Sequence, residues 1–470
     1  MSLRGLLDLA LDDPGYRALA RAARDGNGVA HASAAIQPYL IAALAEDPDS
    51  LAGRPLVVVA PDDVGARELT RELTAYLAPR RVRHYPSRGT GYASHIAPPP
   101  HLVGLRIAAL DSLVGGGPDE APVVVASAVA LAEAVPDASL RPEGFAIRAD
   151  EELDLDFTAE LLVEAGYERV DQVEERGQFA VRGDILDVFP ATEERAARIE
   201  LFGDEIESIR WFSTFTQRSL GEADLIELAP AAELASEHRA LAEAAAEDDE
   251  GRPELAAFLP IDRFRAPLDL IDAAFVVAAA EELEPALRTH WEDVTAAMHD
   301  ADARHLYVDV AEPLEQRATV RLRSVHADED ISIRAQAPAS AARSIAEAEP
   351  QLERELRSGY HVVVAFDHMG EAERARFQLR RVEAQILGEG TRPPAAGALA
   401  FAEARVGEGF VSPALKLAVY PHRKLVHRRA AAPTVRGALA SMAELRVGDH
   451  VVHADHGVAR FAGFETKTVA

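Results

Sequence analysis

Two rhythms of apolar residues run along this chain and predict two kinds of sheet. The first is a set of short, uniformly apolar runs: PLVVVAPDD (55–63), APVVVAS (121–127), AAFVVAA (273–279) and HVVVAF (361–366). Between them lie helix-like stretches such as QPYLIAALAED (37–47), ARELTRELTAYLA (66–78) and LVGLRIAALDSLV (102–114). Apolar strands alternating with helices imply a parallel sheet covered on both faces. HLYVDVAEPL (305–314) reads as a further strand, GEAERARFQLRRVEAQIL (370–387) as a helix, and YPSRGTGYASHIAPPP (85–100) as a loop.

The second rhythm has period two. QFAVRGDILDVFP (178–190), ARIELFG (197–203) and ESIRWFS (207–213) alternate apolar and polar residues, as half-buried strands do. Phe179 and Val181 then face one way and Gln178 and Arg182 the other, while Ile199 and Leu201 oppose Arg198 and Glu200. Gly203-Asp204 fits a tight hairpin turn, and Gly183, inside a run long for one strand, is expected to mark a bulge. From Gly166 to Phe212 there are six arginines and twelve acidic residues, so a docking surface here must come from placement rather than net charge. Composition leaves two readings open: arginines that solvate a strand face, or arginines that form an interface.

At 470 residues the chain has room for about three or four domains. No apolar run approaches the roughly 20 residues of a membrane span, and the opening MSLRGLLDLALDDPGYRAL reads as an amphipathic helix, not a signal peptide. The absence of cysteine excludes disulfides and thiolate metal sites and agrees with a cytoplasmic location. A net charge of −29 argues against a large nonspecific DNA-binding surface. The only lysines are Lys416, Lys424 and Lys467, so no chemistry that needs a lysine can reside in the first 415 residues.

The ordered segments GYERVDQV (166–173), GQFAVRGDILDVFP (177–190) and RIELFGDEIESIR (198–210) closely resemble the small domain shared by the excision-repair protein UvrB and the bacterial transcription-repair coupling factors. The resemblance implies that this domain binds UvrA, with Arg169, Arg182, Arg198 and Glu200 as contacts and Phe179 nearby. UvrB carries one more arginine two places before the VRG arginine, where this chain has Ala180, which implies a weaker or redistributed interface. UvrB also has a P-loop, GxxxxGK[ST], whose lysine and hydroxyl serve the phosphates and Mg²⁺. The place aligned to it here runs from Gly26 through Gly28 to Ser33, with His31 for the second glycine and Ala32 for the lysine. ATP and Mg²⁺ are accordingly expected only for the motor of the full-length family protein. Tyr85 to Pro100 is too short and poor in aromatics to supply the DNA-gripping hairpin of UvrB.

The end of the chain, LRVGDHVVHADHGVARFAGFETKTVA, resembles the start of the RNA-polymerase-interacting domain of the coupling factors and of CarD-type regulators. His450, His453, Asp455 and His456 are residue types that bind zinc, but their spacing fits a strand–turn–strand with Gly457 at the turn. Such a barrel needs more strands, so the chain reads as a piece of a longer protein. The fold expected is α/β: a degenerate, motor-like parallel sheet of the P-loop NTPase type with an inserted β-rich domain, a further α/β domain and the start of a small β-barrel. The boundaries expected are 1–122 and 213–340 for the two parts of the sheet domain, 123–212 for the insertion, 341–431 for the variable α/β domain, 432–444 for a linker and 445–470 for the polymerase-interacting segment. The expected function is a non-catalytic repair module that binds UvrA and RNA polymerase, with DNA contacted only through a motor elsewhere and no membrane partner. A UvrB-type ATPase and a CarD-type regulator are the competing readings.

Overall fold

A computed structural model describes residues 3–94, 97–115, 121–236, 259–298, 303–325, 331–340, 342–388, 396–426, 450–453 and 457–460. Strands β1 (Gly28–Ala32), β2 (Leu56–Ala60), β3 (Val82–Tyr85) and β4 (Val123–Ser127) come first. The short β5 (Val135–Pro136) leads into a β-rich unit built from β6 (Phe145–Arg148), β7 (Glu168–Arg169), β8 (Gln178–Arg182), β9 (Ile185–Val188), β10 (Ala196–Phe202), β11 (Glu205–Phe212), β12 (Ser219–Glu222) and β13 (Leu225–Leu228). The chain returns through β14 (Phe264–Arg265) to β15 (Ala274–Val277), β16 (Ala318–Arg323) and β17 (Ile331–Ile333).

Seven of these strands form one sheet in the order β17-β1-β16-β15-β2-β4-β3, and every pairing in it is parallel. The uniformly apolar runs occupy its middle: every residue of β2, β4 and β15 is buried, whereas the edge strand β3 is half-exposed along most of its length. A strand covered on both faces has no polar side to offer, which is why its sequence shows no alternation.

The β-rich unit interrupts this sheet between β4 and β15, as an insertion. Its boundary differs from the expected 123–212, because Val123–Ser127 pairs with β2 and β3 inside the parallel sheet. At the other end β12 and β13 lie beyond residue 212 yet belong to the unit, β12 by pairing with β11 and β13 by pairing with β6. Two further expectations change. HLYVDVAEPL is not a strand; helix Ala311–Arg317 lies there, and the strand is the next segment, β16. The helix expected over 370–387 ends at Arg376. Beyond it the buried Glu349 accepts hydrogen bonds from the backbone N–H groups of Arg380 (2.6 Å), Arg381 and Val382 (3.1 Å), which fixes a turn and leads into β19 (Ala384–Ile386).

A buried ion network joins the insertion to the sheet domain. Arg106, on helix Pro100–Gly115, donates from Nη1 to Glu133 Oε2 (2.8 Å) and to the Pro86 carbonyl (2.8 Å). Arg88 donates its backbone N–H to the same Glu133 oxygen (2.9 Å) and pairs through its guanidinium with Glu233, at the far end of the insertion. Arg88 also lies over the Tyr92 ring at 3.6 Å and Arg106 over Tyr85 at 4.8 Å. Two cations face two carboxylates, so the buried charges cancel, the condition under which such a group is tolerated.

The third unit contains β18 (His361–Phe366), β19, β20 (Leu399–Glu403), β21 (Phe410–Ser412) and β22 (Leu417–Pro421), in the order β19-β20-β18-β22-β21, parallel except for β21 against β22. It shares its core with the first domain. Helix Gln37–Glu46, nine of whose ten residues are buried, packs in an apolar cluster with residues of both sheets. Tyr39 meets Phe410 at a ring distance of 5.1 Å. Glu72, on helix Asp63–Leu77, accepts from the Gly407 and Glu408 amides at 3.1 and 3.2 Å. Finally β23 (His450–His453) and β24 (Gly457–Arg460) pair antiparallel, with His453 opposite Gly457. Asp455 and His456 lie outside the described residues.

Candidate docking face

The insertion is a six-stranded sheet in the order β12-β11-β10-β9-β8-β7, and the period-two alternation gives it an inside and an outside. Phe179, Val188, Ala197, Leu186, Ile199 and Ile209 project inward and are buried with Ala159 and Leu162 of helix Leu155–Glu164. Two Gly-Asp turns set the register. Gly203 (φ +65°) begins the turn between β10 and β11, as expected. Gly183 (φ +58°) is not a bulge: Gly183-Asp184 is a second hairpin turn, pairing Arg182 with Ile185 and dividing the long run into β8 and β9. The irregularities in register fall instead at Glu200/Leu201 and at Trp211/Phe212.

On the outer face one row of paired residues crosses the sheet: Ala180, Asp187, Arg198, Arg210 and Glu222. Arg182 and Glu200 belong to the neighbouring row, joined through Ile185. Arg198 grips Asp187 in a two-pronged pair, Nε to Oδ1 and Nη2 to Oδ2, both 2.7 Å. Those bonds, the first cause of a raised pKa, hold the guanidinium proton more tightly than in a free arginine. Its guanidinium carbon also stands 4.8 Å from the centre of the Phe212 ring, and Nη2 reaches Gln217 Oε1 at 3.3 Å. Glu200 pairs with Arg210 and accepts from Ser208 Oγ (3.2 Å), so it orients Arg210.

Arg182 is exposed and donates to the Asp171 carbonyl from Nε (2.9 Å) and Nη2, tying down the loop that follows β7. Arg169, on β7, is exposed at the sheet edge, but it pairs with Phe179 and so projects from the opposite side to Arg182 and Arg198, a correction to its expected place among the contacts; neither it nor Arg182 has an ion-pair partner among the described residues. Phe179, expected beside the contacts, is fully buried on the inner face; no partner can touch it. Ala180 is buried as well, in a small apolar cluster with Val173, Ala196 and Phe212. The residues that sequence reasoning missed are Asp187, Arg210 and Phe212. Asp187 sits opposite Arg198 only once β9 and β10 are in register, and the connection between them is not a tight turn that sequence would reveal.

The segment expected to be a degenerate nucleotide loop, Gly26 to Ser33, is a helix end followed by a strand. Gly26 (φ +83°) ends helix Pro14–Arg24, its amide bonded to the Ala23 carbonyl (3.1 Å) and that of Asn27 to Ala22 (3.0 Å). Gly28 begins β1, where an added Cβ would lie 3.1 Å from Val320 and 3.2 Å from Leu19. Ser33 follows the other end of that strand, so the extended run Gly28–Ala32, about 16 Å long, holds it well away from Gly26 and Gly28. Where β1 runs into helix Gln37–Glu46, the buried Gln37 fills the helix start. Its Nε2 donates to Ala32 O (3.0 Å) and Ser324 Oγ (3.3 Å), and its Oε1 accepts from Ala279 N (3.1 Å). Glu281 stands beside it, accepting from Ser324 N at 2.9 Å. A side-chain amide and a carboxylate thus hold the edge of the sheet at which α/β folds bind phosphates.

A family profile described as the UvrB interaction domain matches residues 145–234, and one described as the CarD-like/TRCF RID domain matches residues 445–470. The first agrees with the unit that runs from β6 past β13. The transcription-repair-coupling factor of Bacillus subtilis (strain 168) is 24% identical over 88% of this chain and 40% of its own length. That of Mycobacterium tuberculosis (strain CDC 1551 / Oshkosh) is 34% identical over 47% of this chain and 18% of its own. The UvrABC system protein B of Streptococcus equi subsp. zooepidemicus (strain MGCS10565) is 45% identical over 18% of this chain and 13% of its own. Measured against the first of these, the chain spans about 40% of its relative's length.

Proposed function

We propose that this relative of the transcription-repair-coupling factors is a non-catalytic docking module that recruits excision repair by binding UvrA through the outer face of its inserted β-sheet. The observation that carries the reading is the placement of Arg182 and Arg198 on that face, the first without an ion-pair partner among the described residues, in the unit matched by the UvrB interaction domain profile. A guanidinium whose charge no carboxylate neutralises, on a rigid sheet, suits a partner that presents carboxylates. RNA polymerase is the partner proposed for residues 445–470, which include β23 and β24. ATP-driven translocation on DNA is assigned to motor domains outside these 470 residues, and the module itself is assigned to the cytoplasm. Among the described residues no helix is long and apolar enough to cross a membrane.

Calorimetric titration of UvrA into the purified chain tests the docking. Arg182→Ala should weaken binding about tenfold, on the scale of charged interface groups that become desolvated, whereas Arg169→Ala, on the other side of the sheet, should change it little. Melting curves of the two variants should overlay that of the wild type, because both side chains are exposed. Binding of Arg182→Ala at wild-type strength would assign the contact to another surface.

A further inference from the structure

We propose that Asp187 and Phe212 are positioning residues that hold Arg198 ready for the partner, so that the face offers two kinds of arginine: a preset, charge-neutralised donor at Arg198 and a cation with no ion-pair partner among the described residues at Arg182. The inference rests on the docking reading and deepens it by stating what the partner must present. Asp187, 4% exposed, takes both Nε and Nη2 of Arg198 at 2.7 Å, which fixes the plane of the guanidinium. The Phe212 ring supports it from beneath at 4.8 Å, and Gln217 takes a further Nη2 contact at 3.3 Å. Only the Nη1 donors have no partner among the described residues, and they belong to a pair whose net charge is zero. A donor of that kind suits a neutral acceptor, such as a backbone carbonyl or a side-chain amide oxygen, while a carboxylate on the partner gains most at Arg182. Fixing the side chain in advance also removes part of the ordering cost of association.

The test titrates UvrA against wild type, D187N, R198A, the double variant D187N/R198A, R198K, F212L and R182A at two salt concentrations, with a melting curve for each. D187N should weaken binding about fivefold, and the double variant should bind no more weakly than R198A alone, since a positioning residue acts only through the group it positions. R198K keeps the buried carboxylate paired but cannot form the two-pronged grip, so it should lose nearly as much as R198A while melting close to wild type. F212L should lose about twofold. R182A should flatten the salt dependence of binding, whereas the double variant D187N/R198A, which removes both charges of the neutral pair, should leave it unchanged. The assignment is overturned if D187N binds like wild type, if the losses multiply in the double variant, or if R198K binds fully. Absence of UvrA binding by the wild type, or wild-type binding by R182A, would instead bring down the docking reading itself, a different pattern of results.

Discussion

At the scale of single residues, charge on this molecule is decided by partners more than by exposure. Arg198 and Arg182 lie on the same face, yet one neutralises a buried carboxylate and the other does not. Arg198→Ala leaves Asp187 buried and unpaired, a change that costs about 3–5 kcal/mol, so it should lower the melting temperature as well as UvrA affinity. Replacing Asp187 by Ala at the same time should restore part of that stability, and thermal unfolding of the single and double variants checks it. Glu72 makes a second residue-scale prediction. Burial raises its pKa from the ordinary 4.5 to about 7, against the opposing pull of the Glu408 and Gly407 amides. A folded-state pKa above the unfolded one favours the protonated carboxyl in the native protein. Its contribution is therefore complete below about pH 4.5 and lost as pH rises through about 7. Glu72→Gln keeps an acceptor for both amides and never ionises. At pH 8 it should be more stable than wild type by about 3 kcal/mol, with the difference vanishing near pH 4; denaturant melts at the two pH values measure it.

At the scale of elements, the insertion depends on two hairpin turns and one buried face. Gly183 and Gly203 both have positive φ and open space where a Cβ would stand, so the cost of substitution is in the backbone alone. Gly183→Ala should cost about 1 kcal/mol, seen as a small drop in melting temperature without loss of fold. Phe179→Ala removes a fully buried ring between the sheet and helix Leu155–Glu164 and should cost about 3–5 kcal/mol. Any loss of UvrA affinity in that variant should track the unfolded fraction and disappear at temperatures where the variant is fully folded.

At the scale of the whole molecule, buried polar contacts tie the three units together. Arg106→Met leaves Glu133 and Glu233 sharing Arg88 alone, and should cost about 3–5 kcal/mol. Adding Glu133→Gln should recover part of it, since the surplus charge is then removed; calorimetry of the three proteins tests this. The sheet edge held by Gln37 and Glu281 leads to the expectation that the purified chain turns over no ATP, and a Mg²⁺-dependent, saturable hydrolysis assay would expose the opposite.

The rhythm of apolar residues by itself determined the class of fold. Uniform runs such as Leu56–Ala60 can be satisfied only between two covering layers, and the alternation from Gln178 to Phe212 only at a face between core and water. Local residue order also determined the inward side of Phe179 and the turn at Gly203, because both follow from neighbours along the chain. What the tertiary structure decided were matters of register and long-range capture. Asp187 meets Arg198 across a connection whose geometry no short motif specifies. Glu349 ends a helix that local periodicity would have extended, by binding amides some thirty residues away. Gly26 and Gly28, aligned by resemblance with a degenerate phosphate loop, are a helix end and a packing contact, because the strand that starts at Gly28 carries the chain away before Ser33. Hydrophobic periodicity is a local property and survives in sequence; the pairing of buried charges depends on which strands meet, and that is set only when the whole chain has folded.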